Sequence, residues 1–143
     1  MQLYGGGDKT SLYKLILQLN ITDSFQINEA TTDILKKYTE SSICILSSRF
    51  EGFGMSIAEA MSCGIPVVSF NCPCGPRYII RDGEDGILVE NGKCDDEDKI
   101  CYLIENEHRR KEMGRKAHIN IKRFETEQIM SQWIKLFEEL LRI

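Results

Sequence analysis

Two glutamates, Glu51 and Glu59, stand eight positions apart in "SRFEGFGMSIAEAMSCGIPVV" (48–68), with Gly52 and Gly54 between them. Carboxylates accept hydrogen bonds from paired hydroxyls, as the acidic residue of a dinucleotide fold does from a ribose. On an uninterrupted helix the two would be about 12 Å apart in rise, too far to share one small group. The glycines break that regularity, because the backbone can turn there where a side chain would clash. The spacing predicts Glu51 on a loop and Glu59 in the first turn or so of the following helix, "MSIAEAMSC" (55–63). Between them the N–H groups of Phe53, Gly54, Met55 and Ser56 would be exposed at a helix N-terminus, where anions and above all phosphates bind. A plainer reading stands beside this one, with Glu59 an acid favoured by the helix dipole and Glu51 a solvated loop residue. Spacing alone does not decide between them.

The elements that must position this segment follow from the periodicity. Short apolar runs, "QLY" (2–4), "SFQI" (24–27), "SICILS" (42–47), "IPVVSF" (65–70) and "GILVE" (86–90), read as strands. Between them "KTSLYKLILQLN" (9–20) repeats its apolar residues Leu12, Leu15, Ile16 and Leu19 at helical spacing. "TTDILKKYTE" (31–40) reads as a short helix with Thr31 or Thr32 as its cap, and "GPRYIIRDG" (75–83) as a helical turn. From about Asp95 onward the chain reads as helix. Such alternation predicts an α/β fold, a parallel sheet with helices on both faces. Ligands of these sheets bind outside the carboxyl ends of the strands, and the glutamate segment follows "CILS" at such an end. A phosphate flanked by two polyhydroxylated groups would suit it, and a nucleotide sugar has that layout.

Composition narrows the field. The 143 residues suffice for one ordinary domain, and 42% hydrophobic with 28% charged residues describes a soluble globular protein rather than a disordered or fibrous one. No apolar run approaches the roughly 18 residues of a membrane span, and the N-terminus lacks the layout of a signal peptide, so a cytoplasmic chain is expected. With a net charge of −4 and mixed signs there is no basic face for nucleic acid. The one basic cluster, "EHRRKEMGRK" (107–116), reads as a solvated helix face, with attraction to anionic lipid as the alternative. Solvated positions are expected for His108 and His118. The six cysteines, Cys44, Cys63, Cys72, Cys74, Cys94 and Cys101, lack metal spacing, and three of them sit in apolar runs; free thiols are expected.

The stretch "SSRFEGFGMSIAEAMSCGIPVVSFNCPCGPRYIIRDGEDGILVENG" resembles the donor-binding half of the retaining glycosyltransferases of family 4, in the group 1 class with the GT-B fold. That family pairs two glutamates across seven residues, beginning E-G-F-G and continuing E-A-M-x-x-G-x-P-V-V, then G-x-x-E-I-I-x-D-G-x-N-G-x-L-V. The likeness covers roughly residues 2–140 and is sharpest over 47–92. It implies a Rossmann-like sheet, retention of the donor's anomeric configuration and no catalytic metal or cofactor. Glu51 would contact hydroxyls of the donor hexose and is the catalytic candidate. Glu59 would accept the ribose hydroxyls, while Gly52, Phe53, Gly54, Met55 and Ser56 would face sugar and diphosphate, with Ser48 as the small polar residue before the loop. Catalysis would be mainly electrostatic, on charge developing at the leaving diphosphate. UDP is the expected nucleotide, with base choice set near Asn28 to Thr32.

Departures from the pattern shape the remaining expectations. The opening "QLYGGGD" resembles the family's second strand, so the first strand and helix, with an Arg and a Lys for the diphosphate, would be missing, as would the acceptor-binding N-terminal domain. A donor-binding fragment, inactive alone, is expected over residues 1–143. Glycan or lipid acceptors would be met by the missing domain; an epimerase or phosphorylase of the same architecture, or a binding module without transfer, is the alternative. Tyr78 stands where the family has glutamate, with Arg77 beside it. "NCPCGP" with "DGILV" looks like enzymes of capsule or lipopolysaccharide synthesis, a polysaccharide role at the inner face of the membrane. Along "EQIMSQWIKLFEELLRI", Ile129, Trp133, Leu136, Phe137 and Leu140 form an apolar stripe of the kind that packs into a core. The resemblance implies that this helix crosses to the missing domain, leaving part of the stripe exposed and the fragment able to self-associate.

Overall fold

A computed structural model describes residues 1–90 and 96–142. Strands and helices alternate along it: β1 (Gln2–Tyr4), α1 (Thr10–Gln18), β2 (Gln26–Asn28), α2 (Ile34–Thr39), β3 (Cys44–Leu46), α3 (Met55–Ser62), β4 (Val67–Phe70), α4 (Pro76–Ile79) and β5 (Gly86–Val89). Helices then run through α5 (Asp96–Glu105), α6 (Glu107–Asn120), a 3₁₀ turn (Ile121–Phe124) and α7 (Thr126–Leu141). The chain divides into two compact units, Met1–Ile34 and Leu35–Ile143, and the parallel strands form one ladder in each.

In the first unit β1 lies parallel to β2, Gln2 opposite Gln26 and Tyr4 opposite Asn28, with α1 as the crossover. Asp8 accepts the Thr10 N–H at 2.9 Å where α1 begins. Lys9 ties that start to the end of β2, donating to Asn28 O at 3.1 Å and to Glu29 Oε1 at 2.8 Å. Of the apolar stripe on α1, Ile16 is buried while Leu15 and Leu19 stay exposed. The Thr31 hydroxyl does not cap a helix starting at once. It accepts the Asp33 N–H at 3.1 Å, a tight turn that delays α2 to Ile34.

In the second unit β3, β4 and β5 pair in parallel, Cys44 opposite Val67 and Val67 opposite Gly86. Successive residues of a strand face opposite ways, and here both faces are covered. Val67 packs with Ile57, Ala60, Met61, Ile79 and Ala117, whereas Val68 packs with Ile87, Val89, Leu103 and Met113. Burial on both faces explains why "IPVVSF", apolar but for Ser69, does not alternate with polar residues. α3 closes with Gly64 in the left-handed region at φ +75°. The N–H groups of Gly64 and Ile65 bond back to Met61 O at 2.9 Å and Ala60 O at 3.0 Å, satisfying the last carbonyls of the helix, and Pro66 forbids its continuation. Gly114 of α6 meets this corner: a Cβ on it would stand 3.1 Å from the Gly64 carbonyl carbon, closer still to the oxygen, and 3.2 Å from Pro66 Cδ.

Two expectations for the C-terminal helices need correction. The basic stretch 107–116 is only partly a solvated face. Arg109 donates to Gly83 O at 2.6 Å, Arg110 reaches Leu103 O at 2.7 Å, and Met113 and Gly114 are buried, because long guanidinium stems fold onto carbonyls that would otherwise lack donors. His118 is exposed, yet its Nδ1 lies 2.7 Å from Ser62 O, and His108 is exposed. The stripe on α7 does not pack as core and is instead left exposed, as the resemblance implies: no residue of α7 is buried, Trp133, Leu136, Phe137 and Leu140 are exposed, and only Ile129 is half-covered. Among the described residues no element lies over it. Among the described residues no helix is long and apolar enough to cross a membrane.

Candidate functional site

The chain leaves the carboxyl end of β3 at Leu46 and passes through half-buried Ser48 and exposed Arg49 and Phe50 to Glu51, which is half-buried. Gly52 is exposed. Gly54, buried, precedes α3 with φ +91° and ψ 56°, a left-handed conformation that an L side chain rarely adopts, so glycine is required for the turn. The helix bonds begin with Ile57 and Ala58, whose N–H groups both reach Gly54 O, at 2.9 and 3.3 Å. That leaves the N–H groups of Phe53, Gly54, Met55 and Ser56 without an acceptor among the described residues. No acidic side chain occupies the first turn of α3, and the positive end of the helix is uncompensated.

Glu59 is the fifth residue of α3, which begins at Met55 behind the left-handed Gly54, the start that the spacing predicts, and so stands just past the first turn. Too far along to compensate the dipole of the first turn, it loses the plain explanation open to it from sequence. Half-buried, it accepts a long hydrogen bond from the Tyr38 hydroxyl, 3.4 Å to Oε2. Burial first, then the neighbouring Cys44 thiol and the Glu59 carboxylate, push the Tyr38 phenol above its ordinary value. Tyr38 therefore keeps its proton and aims it at Glu59. Beside it, burial pushes the Cys44 thiol up to about 11.

Two further groups hold the loop and were not legible as site residues. Gly75, at φ +68° and ψ −91°, lies directly behind it: a Cβ there would be 2.8 Å from the Phe53 carbonyl carbon, closer to its oxygen, and 3.3 Å from Glu51 Cβ. Phe53 turns its ring toward Phe124 of the 3₁₀ turn, edge to face, with centroids 5.4 Å apart and planes at 81°. "GPRY" could be read as a helix start with Pro76 at its first position, but nothing in it announces the close approach. Phe124 carries no sequence signal at all. Arg77 and Tyr78 of α4 are exposed, Tyr78 by 70%.

The segment is a ledge, not an enclosed cavity, with Phe53 and Met55 exposed. Two hollows lie elsewhere, one of about 370 Å³ along α7 at Ile129, Gln132, Trp133 and Leu136, the other of about 220 Å³ between Ser41, Pro66 and Arg110. The second is also lined by Ser42, Glu107 and Lys111, but neither sets the start of a helix between two carboxylates as the ledge does. Cys44, Cys63, Cys72, Cys74 and Cys101 are free thiols, and Cys94 lies outside the described residues. Among the described residues no cluster of three or more His, Cys, Asp or Glu could hold a metal.

Known proteins resemble this chain in sequence and in fold. Poly(ribitol-phosphate) alpha-N-acetylglucosaminyltransferase of Staphylococcus aureus (strain COL) is 35% identical over 138 residues, 94% of this chain and 28% of that protein. A variant of S. aureus TarM solved with fondaparinux, alpha-GlcNAc-glycerol and UDP superposes with a TM-score of 0.88 at 34% identity, over 95% of this chain and 28% of TarM. The pneumococcal O-GlcNAc transferase GtfA, solved with UDP and GlcNAc, gives a TM-score of 0.77 at 27% identity, over 99% of this chain and 29% of GtfA. The chain thus spans less than a third of each of these relatives. Residues 2–120 match the family described as "Glycosyl transferases group 1", and by that match the chain belongs to the group 1 glycosyltransferases, with their GT-B architecture.

Proposed function

We propose that the chain is the donor-binding half of a retaining hexosyltransferase of family 4, and that its donor is a UDP-sugar with N-acetylglucosamine as the hexose. One observation carries the reading: the segment 51–59 sets a carboxylate on either side of four N–H groups that have no acceptor among the described residues. A diphosphate would be held by the amides of Phe53, Gly54, Met55 and Ser56, ribose hydroxyls by Glu59 and hexose hydroxyls by Glu51. UDP in the TarM and GtfA structures, and N-acetylglucosaminyl transfer in the name of the S. aureus relative, support the choice of donor. Negative charge grows on the leaving diphosphate as the glycosidic bond breaks. Amides already aimed at that charge stabilise it without reorganising, and the reaction as proposed needs no metal. Glu51 would bind and orient the hexose at the reacting carbon. A separate domain would present a glycan or lipid acceptor, in polysaccharide synthesis at the cytoplasmic face of a membrane.

The test is ligand-observed NMR with UDP, GDP and ADP on the chain and on Glu59→Ala. UDP is expected to bind best, and the variant to lose about tenfold to 150-fold, the range for a hydrogen bond to a charged group. Preference for GDP or ADP overturns the choice of base, and undiminished binding by a folded Glu59→Ala overturns the role of Glu59. Glu51→Ala is expected to weaken UDP-N-acetylglucosamine while sparing UDP.

A further inference from the structure

We infer that Phe124 is a positioning residue for the donor loop: by seating the Phe53 ring, it holds the N–H groups at the start of α3 in register to receive a diphosphate. The inference rests on the donor site proposed above and names what keeps that site in shape.

Phe53 sits between Gly52 and Gly54, two residues without side chains to fix the backbone, so nothing local determines where its amide points. Among the described residues no side-chain hydrogen bond restrains Glu51, Gly52, Phe53 or Gly54. Phe53 is exposed, and its ring nevertheless has a partner. The ring is spent on an edge-to-face contact with Phe124, and the residue's backbone N–H is left free. A ring committed to packing beside an amide committed to nothing is what a loop held for its backbone requires.

Phe124 in turn is firmly placed. The 3₁₀ turn that carries it has Ile121 buried in the core. Arg123 beside it donates to Asn120 O at 2.9 Å and to Ile79 O at the end of α4, and its guanidinium carbon lies 4.8 Å from the centre of the Phe124 ring. The turn is thus fastened both to α6 and to α4, and α4 begins at the Gly75 that backs the same loop. The ring pair thus refers the Phe53 side of the loop to the second unit, alongside the backing of the loop by Gly75.

The experiment compares Phe124→Leu, Phe124→Tyr and, as a remote aromatic control, Phe137→Leu. Titrations with UDP and with uridine are read alongside ¹⁵N spectra of the free protein. Phe124→Leu is expected to weaken UDP about three- to tenfold, the scale of one lost aromatic pair, while uridine, which lacks phosphate, keeps its affinity. The Gly52 and Gly54 amide signals are expected to shift or broaden. Phe124→Tyr, which keeps the ring, restores both, and Phe137→Leu changes neither. Equal losses for UDP and uridine, or unmoved Gly52 and Gly54 signals, overturn the positioning role. Should the unaltered chain fail to bind UDP, it is the donor site that falls. The ligand-free glycine signals still decide whether Phe124 holds the loop. Phe124→Met, which fills similar volume without a ring, replaces Phe124→Leu if the latter does not fold.

Discussion

Gly75→Ala tests whether the shape of the donor ledge is imposed from behind. The backbone at Gly75, φ +68° and ψ −91°, is one an L residue occupies only under strain, at a cost of order 1–3 kcal/mol. The added methyl would also stand 2.8 Å from the Phe53 carbonyl carbon and nearer its oxygen, against 3.4 Å for ordinary contact, so the loop must retreat by more than about half an ångström. A carbonyl cannot rotate away as the end of a flexible side chain would, and the amides of Phe53 and Gly54 must move with it. Displacements on that scale cost contacts of hydrogen-bond length dearly, and a loss of about ten- to hundredfold in UDP affinity is expected. Gly83→Ala is the control. Gly83 has nearly the same φ, +73°, with nothing within 4 Å of the new methyl, and so carries the backbone cost without the collision. Urea denaturation separates stability from affinity, and UDP titration with ¹⁵N shifts at residues 52–56 reads the loop. If Gly75→Ala binds UDP and holds these shifts as Gly83→Ala does, the argument from steric contact is refuted.

Other consequences can be measured on the same protein. Gly114→Ala gains about 1 kcal/mol of helix propensity, yet its methyl meets the Gly64 carbonyl, so a net loss of about 1–3 kcal/mol is expected in urea melts; a raised midpoint would contradict the packing. Asp85, fully buried, accepts the Arg81 N–H at 2.7 Å and the Asn120 Nδ2 at 3.0 Å, and Asp85→Ala should cost about 1–3 kcal/mol, chiefly by stranding the Arg81 N–H, since the Asn120 amide keeps Glu84 Oε1 at 3.2 Å; an unchanged urea midpoint would show that neither bond matters. The Cys44 thiol titrates at about 11 in the fold against an ordinary 9.0. Its contribution is whole below pH 9 and is lost as pH rises toward 11, because the unfolded chain ionises first. Stability should fall over that window by about 2–3 kcal/mol more in the unaltered protein than in Cys44→Ala, and parallel curves would refute it.

The strands and the start of α3 were legible because their signals are local. "IPVVSF" is apolar but for Ser69 and is buried on both faces, and Gly54 and Gly64 mark the two ends of the helix at left-handed positions. The place of Glu59 just past the first turn follows from that same start at Met55. Tyr38, Gly75 and Phe124, by contrast, escaped notice. Each reaches the segment from a different element, and no spacing rule links positions 38, 75 and 124 to 53 or 59. The α7 stripe has the periodicity of a core helix, but periodicity says that a face is apolar, not that anything lies against it.

The meeting of Gly114 with Gly64 has a mechanical consequence. Most helices are spaced by interlocking side chains, so a changed rotamer or a lost methylene alters the gap between them. Here main chain rests on main chain at the C-terminal end of α3, with no side chain interposed. That contact acts as a fixed stop. Ile57, Met61 or Ala117 can be repacked at some expense in stability, while the axis that carries Glu59 stays seated against α6. Accuracy at the carboxylate is thereby separated from the make-up of the core beneath it, and the hydrophobic residues of this unit are free to vary in ways that the two glycines are not.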